Sequence, residues 1–150
     1  MTDPAALTAH LGYWLRAVSN QVSHAFALKL EGEGVTVAEW VVLRELYGQP
    51  PANPSRLAER LALTRGAISK LAERLIDKGL LARTESDADR RAHTLALTRA
   101  GAAKVPALAA LADANEAQFF GGLGAADHAA LDRILKTLAD RHGLQSPPMS

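Results

Sequence analysis

Apolar residues recur at steps of three or four from about Pro4 to Leu30. Leu7, Leu11, Leu15, Val18, Val22, Phe26 and Leu30 fall on one helical face, which Trp14 widens. Glu31-Gly32-Glu33-Gly34 interrupts that pattern. A second helix is predicted from Thr36, where Glu39 three residues later completes a capping-box pattern. Its buried face reads as Val37, Trp40, Val41 and Leu43 to Leu46, and Gly48-Gln49-Pro50-Pro51 ends it. Asn53 before Pro54 reads as an N-cap with proline at the first helical position, opening a short helix that turns Leu57, Ala58 and Leu61 inward. Only Ala62 and Leu63 separate it from the next cap, Thr64. Helices joined that tightly cross steeply, as in a helix-turn-helix.

The next helix, Arg65 to Lys78, carries Ile68, Leu71, Leu75 and Ile76 inward. It points Gly66, Lys70, Glu73 and Asp77 outward, with Ser69 and Arg74 on the flanks, and Gly79 supplies its C-terminal residue. Leu80 to Arg83 and His93 to Leu97 read as two short strands around a polar turn, Ser86-Asp87-Ala88-Asp89-Arg90-Arg91. Thr98 caps a helix running to about Phe120, which Pro106 should bend unless the helix begins there. Gly121-Gly122 breaks the chain, and a last helix from about Ala125 to His142 is expected to bury Leu131, Ile134, Leu135 and Leu138. The tail from Gln145 is expected to be unstructured.

Composition adds bounds. With 48% apolar and 22% charged residues, the chain reads as a soluble globular protein of one domain, or of one domain with helical extensions. No apolar run approaches the roughly 20 residues of a membrane helix, and the N-terminus lacks a basic segment followed by an apolar one. The expectation is a cytoplasmic protein that does not engage a membrane. There is no cysteine, which excludes disulfides, thiolate zinc sites and a thiol-oxidation switch.

Net charge is only +1, but it is unevenly spread. Ser55 to Arg99 holds ten Lys/Arg against six Asp/Glu, and the remainder seven against ten. A basic footprint thus falls on the segment built like a DNA reader. The first turn of a helix entering the major groove must be small or basic, and Thr64, Arg65, Gly66, Ala67 and Ser69 meet that demand. Arg65 suits a guanine edge, Ala67 a thymine methyl, and Lys70 and Arg74 phosphates. Ser55 and Arg56 open a helix whose free N–H groups can grip the backbone. Arg90 and Arg91 stand where a hairpin tip offers arginine to the minor groove, with Asp87 or Asp89 placed to stiffen the turn by pairing with one of them.

These residues carry a family resemblance: Leu57-Ala58, Thr64 to Arg74, Lys78-Gly79-Leu80, Asp89-Arg90-Arg91, and Leu95-Ala96-Leu97-Thr98-Arg99-Ala100-Gly101. The chain resembles the MarR family (multiple antibiotic resistance regulators) of bacterial winged-helix repressors over essentially its whole length. The resemblance implies a mainly α fold, a winged helix-turn-helix with a small β-hairpin wing, flanked by N- and C-terminal dimerisation helices. Residues 35–100 would form the DNA-binding domain, and residues 1–34 and 101–150 the helical dimerisation region. It also implies a homodimer on palindromic double-stranded DNA, repressing a promoter until a small-molecule effector releases it. The alternative is a winged-helix module that binds protein, which has no need of Arg65 or the wing arginines.

Other chemistry is sparse. His10, His24, His93, His128 and His142 show no close ligand spacing with a carboxylate, so no metal site is expected. No Ser/His/Asp set, paired carboxylates or phosphate-cradling glycine loop appears, so neither an enzyme nor a cofactor is expected. The resemblance places an effector pocket between the dimer helices and the winged domain. His10, Trp14, Arg16, Trp40 and Arg44 are its candidate lining, and its two tryptophans suit a small aromatic acid. Core packing plus a surface arginine is the competing reading of the same residues.

Overall fold

The computed structural model describes residues 2–86 and 89–144, with the surroundings of the side chains at 86 and 89–92 left undescribed. The tail expected to be unstructured, and Asp87 in its expected pairing role, lie outside the described residues. A 3-10 turn at Leu7–Ala9 precedes α1 (Leu11–Glu31), α2 (Val37–Leu46), α3 (Pro54–Leu61) and α4 (Arg65–Asp77). The strands β1 (Leu81–Ser86) and β2 (Asp89–Leu97) follow, then α5 (Arg99–Phe120) and α6 (Ala125–Arg141).

The predicted caps hold the helix starts. Thr36 and Glu39 exchange both bonds of a capping box, and Asn53 Oδ1 accepts from the Ser55 amide at 2.8 Å. Thr64 Oγ1 accepts from Ala67 N and Thr98 Oγ1 from Gly101 N, each at 3.0 Å. α3 ends on Ala62 in the left-handed region (φ 55°), a costly conformation for alanine that turns the chain into Thr64 within two residues.

One core gathers Leu30 of α1, Val42, Leu43 and Leu46 of α2, Leu57 and Leu61 of α3, and Ile68, Leu71 and Leu75 of α4. Leu81 and Leu95 of the hairpin and Val105 and Leu108 of α5 complete it. α1 is joined to α5 by Asn115, whose buried amide donates to the Val22 carbonyl and accepts from Lys29 Nζ at 2.9 Å.

Several expectations are corrected. α1 starts at Leu11 and not near Pro4: His10 is extended and gives no side-chain cap, and Leu7 and Leu11 are 70% and 88% exposed. The segment before it forms only the 3-10 turn at Leu7–Ala9, which the extended His10 separates from α1. The buried face of α2 is Glu39, Val42, Leu43 and Leu46, whereas Trp40 and Val41 are half-buried and Arg44 is exposed. The hairpin is longer than expected, because Asp89, Arg90 and Arg91 belong to the backbone of β2 and the register shifts between Glu85 and Ser86. α5 runs unbroken through Pro106, which is exposed. Ile134, Leu135 and Leu138 of α6 are 47%, 43% and 43% exposed, so the chain alone does not bury them.

The hairpin also gains a third rung. Ala52 and Leu95 exchange both backbone bonds, at 2.9 and 2.8 Å, which ties the segment before α3 to β2. Two prolines precede Ala52, and a single paired residue leaves no alternation to read.

Candidate nucleic-acid interface

α4 divides cleanly between packing and surface. Ile68, Leu71, Ala72 and Leu75 are buried, while Arg65, Gly66, Ser69, Lys70, Glu73 and Arg74 are exposed. Thr64 is exposed and occupied in capping the first turn; Ala67 is half-buried beside it. A Cβ built on Gly66 would meet only Thr64 Oγ1, at 3.9 Å, so the glycine is not demanded by packing. It leaves the first turn bare toward solvent, where another backbone can approach closely.

Ser55 and Arg56 are exposed on the first turn of α3, the preceding helix of the same motif. Because Pro54 has no N–H and Asn53 takes the Ser55 amide, the free donors at this end are fewer than the sequence alone suggests.

The cations sort into two sets. Arg60 pairs with Glu45, Arg83 with Glu73, Lys78 with Glu39, Lys104 with Glu33 and Lys136 with Asp132. Arg56, Arg65, Lys70 and Arg74 have no ion pair among the described residues. The Arg83–Glu73 contact, at 2.6 Å, occupies the carboxylate on the outer face of α4 and ties that helix to β1. Positive charge without an ion pair among the described residues thus lies on the surface formed by α3 and α4, as it does also at Arg16, Arg99, Arg133 and Arg141, and a phosphate-binding face requires such charge. The backbone of Asp89, Arg90 and Arg91 continues β2 beside it, and the roles expected of their side chains lie outside the described residues.

Glu39 was not foreseen from sequence as more than a cap. It is fully buried, and its two carboxylate oxygens each accept from Lys78 Nζ at 2.8 Å. Burial pushes its carboxyl up, but the bonds from Lys78 and Thr36 outweigh that and hold it below its ordinary value. The usable signal was a lysine at the end of α4, 39 residues from a glutamate at a helix start, and nothing in local spacing links the two.

The five candidate pocket residues do not converge within one chain. Trp14 stacks edge-on against Tyr13 at 5.2 Å and donates Nε1 to the Thr8 carbonyl, near the exposed His10 and Arg16. Trp40 packs edge-on to Phe26 at 6.4 Å, and Arg44 lies over the Tyr47 ring at 5.8 Å. Twelve residues of α1 separate Trp14 from Phe26, about 18 Å of helix. A cavity of about 340 Å³ opens elsewhere, lined by His24, Ala27, Leu28 and Glu31 of α1 and by Gly34 to Val37. Among the described residues no group of three His, Cys, Asp or Glu is placed to hold a metal ion, and no helix is long and apolar enough to cross a membrane.

Comparison with known proteins agrees with this geometry. Residues 33–92 match the family model described as MarR family. The HTH-type transcriptional repressor MdtR of Bacillus subtilis is 34% identical over 58% of this chain, a match spanning little more than half (56%) of that repressor. A Thauera aromatica protein assigned as a transcriptional regulator of the hcr operon is 31% identical over 89% of this chain and 81% of its own length. The solved structure of Bordetella bronchiseptica BpsR, whose DNA binding is regulated by 6-hydroxynicotinic acid, superimposes with a TM-score of 0.81. That alignment is 27% identical and covers 92% of this chain and 99% of BpsR. With a winged helix-turn-helix, an exposed basic face on α4 and a relative matched over most of both lengths, the chain belongs to the MarR family of winged-helix transcriptional regulators.

Proposed function

We propose that this chain is a homodimeric repressor that reads a palindromic operator through α4 and is released by a small aromatic acid. One observation carries the reading: α4 buries one face completely and leaves Arg65, Lys70 and Arg74 on the other, exposed and without ion pairs among the described residues. Arg65 and Ser69 are the base readers, with Ala67 at a thymine methyl. Lys70, Arg74, Ser55 and Arg56 hold phosphates, and Arg90 and Arg91 reach the minor groove. Residues 35–100 are the DNA-reading unit, and residues 1–34 and 101–150 the dimerising one. Exposed Leu7, Leu11, Leu15 and Val18 of the first segment and Ile134, Leu135 and Leu138 of α6 support that division. They form apolar stripes that one chain leaves open and a second copy would cover.

The effector proposal rests on the same assembly. His10, Trp14 and Arg16 lie about 18 Å along α1 from the Trp40 neighbourhood, so a shared pocket needs one group from each of two chains. The regulation of BpsR by 6-hydroxynicotinic acid, a small aromatic acid, supports that ligand class. The reading is tested with Arg65→Ala on a duplex selected by the protein from a randomised pool. Preference at one position of each half-site should relax, at a cost of about 1–3 kcal/mol per half-site. Equal loss on selected and random duplex would reduce Arg65 to a phosphate contact, and no selection at all would favour a protein-binding module.

A further inference from the structure

The C-terminal end of α4 is tied by side chains to two other segments, whereas its reading end is held by the buried Ile68 and by the Leu63 amide on the Ala58 carbonyl of α3. Lys78 Nζ spends its three donors on the two Glu39 oxygens and the Gly34 carbonyl, each at 2.8 Å. Opposite it, Thr98 Oγ1 donates to the Gly79 carbonyl at 2.7 Å and Thr98 N to the Leu80 carbonyl at 3.2 Å. Gly34 and Glu39 stand where α1 passes into α2, and Thr98 stands where the hairpin passes into α5. At the other end of α4, Thr64 bonds only within its own first turn, and Arg65, Gly66 and Ser69 are exposed.

A buried ion pair is a poor device for stability alone, since apolar side chains of similar size serve as well or better. Its distinctive product is direction. Glu39 is fixed by the Thr36 amide on one side, and Lys78 meets it with two bonds while giving a third to the Gly34 carbonyl. We propose that the Glu39–Lys78 pair is a positioning device for operator recognition, setting the pitch of α4 from its far end so that Arg65 and Ser69 meet the base edges. This rests on the reading that α4 enters DNA.

The geometry makes the device sensitive. Thirteen residues separate Lys78 from Arg65, a lever of about 20 Å, so a tilt of about 5° at Lys78 moves the reading end by roughly 2 Å. Base-edge hydrogen bonds tolerate only about 0.5 Å. Phosphate contacts from flexible lysine and arginine side chains tolerate far more, so loss of the pair should separate selective from non-selective binding.

The test uses the full chain carrying Glu39→Gln and Lys78→Met together. Glutamine keeps an acceptor for the Thr36 amide, and no buried charge is left alone. The variant is checked for dimerisation and cooperative unfolding, then titrated on the duplex the parent selects and on random duplex over a range of salt. Selected-duplex affinity should fall by about tenfold or more while random-duplex affinity and its salt slope stay the same, because the phosphate contacts are intact. Equal losses on both duplexes, or none on the selected one, would overturn the proposal. If the double variant does not fold, Glu39→Gln alone decides, with about a threefold selective loss expected from replacing an ion pair by a bond between the ammonium and one neutral amide oxygen and unchanged selectivity overturning it. A parent that selects no sequence would instead remove the DNA reading itself, and this inference with it.

Discussion

Gly101 gives the sharpest test of the packing, because two opposing effects act on one methyl group. It lies buried in the first turn of α5, and a Cβ there would stand 2.0 Å from the Leu80 carbonyl oxygen and 3.0 Å from its carbon. Helix propensity alone makes Gly101→Ala stabilising by up to about 1 kcal/mol. Real Cβ contacts essentially never fall below 3.0 Å, so about 1 Å must be found by moving either α5 or the chain entering β1. The Leu80 carbonyl also accepts from Thr98 N, so that movement strains a bond next to the α5 cap. Overpacking costs about 1–3 kcal/mol, and a weakened backbone bond adds about 1 kcal/mol. The clash therefore wins by roughly 1–3 kcal/mol, which at this chain length lowers the thermal midpoint by about 3–10 °C. The assay is circular dichroism on heating at fixed protein concentration, since association shifts the midpoint. Gly12→Ala is the control, because nothing lies within 4 Å of its added Cβ in α1. A Gly101→Ala midpoint at or above the parent's would refute the close approach of α5 to Leu80.

Two further perturbations reach other parts of the account. Lys78→Met should destabilise the protein at neutral pH by about 2–4 kcal/mol, under the figure for a fully buried pair because the lysine side chain is 39% exposed. In the parent, the lowered Glu39 carboxyl contributes stability above the unfolded-state value, and that contribution is lost as pH falls through the folded-state value. In Lys78→Met the burial is less opposed and the carboxyl lies higher than in the parent, so the variant should lose less stability than the parent as pH falls. Denaturant midpoints at several pH values check this, and parallel profiles for parent and variant would refute it. Leu135→Glu, on the open stripe of α6, should turn a dimer into a monomer at micromolar concentration in sedimentation; an unchanged dimer would remove α6 from the interface.

Elements with local causes were legible in the sequence. Thr36, Asn53, Thr64 and Thr98 cap where their side chains predicted, because a cap depends on residues within three positions. Readings that needed a partner elsewhere were not. Val42 lies deeper than Trp40 because α1, α4 and α5 approach α2 from a side that periodicity along α2 does not specify. Glu39, read as a cap, is also half of an ion pair spanning 39 residues, and Asn115 reaches back 93 residues to Val22. The segment before Leu11 shows the converse: an apolar pattern predicts a helix, but a 3-10 turn at Leu7–Ala9 and an extended His10 interrupt it. Of the candidate site, the exposed face of α4 followed from the wheel of one helix. The pocket residues, scattered over two helices, did not assemble by the same logic.

The most direct measurement is selection of duplexes from a randomised pool by the full chain, followed by titration of the winner against random duplex at fixed salt. The expected result is a site with two-fold symmetry, its half-sites centred about 10 base pairs apart or a multiple of that, bound on the order of a thousandfold more tightly than random sequence. A pool that returns no enriched sequence, or one bound no better than random duplex, would contradict the claim that α4 reads DNA.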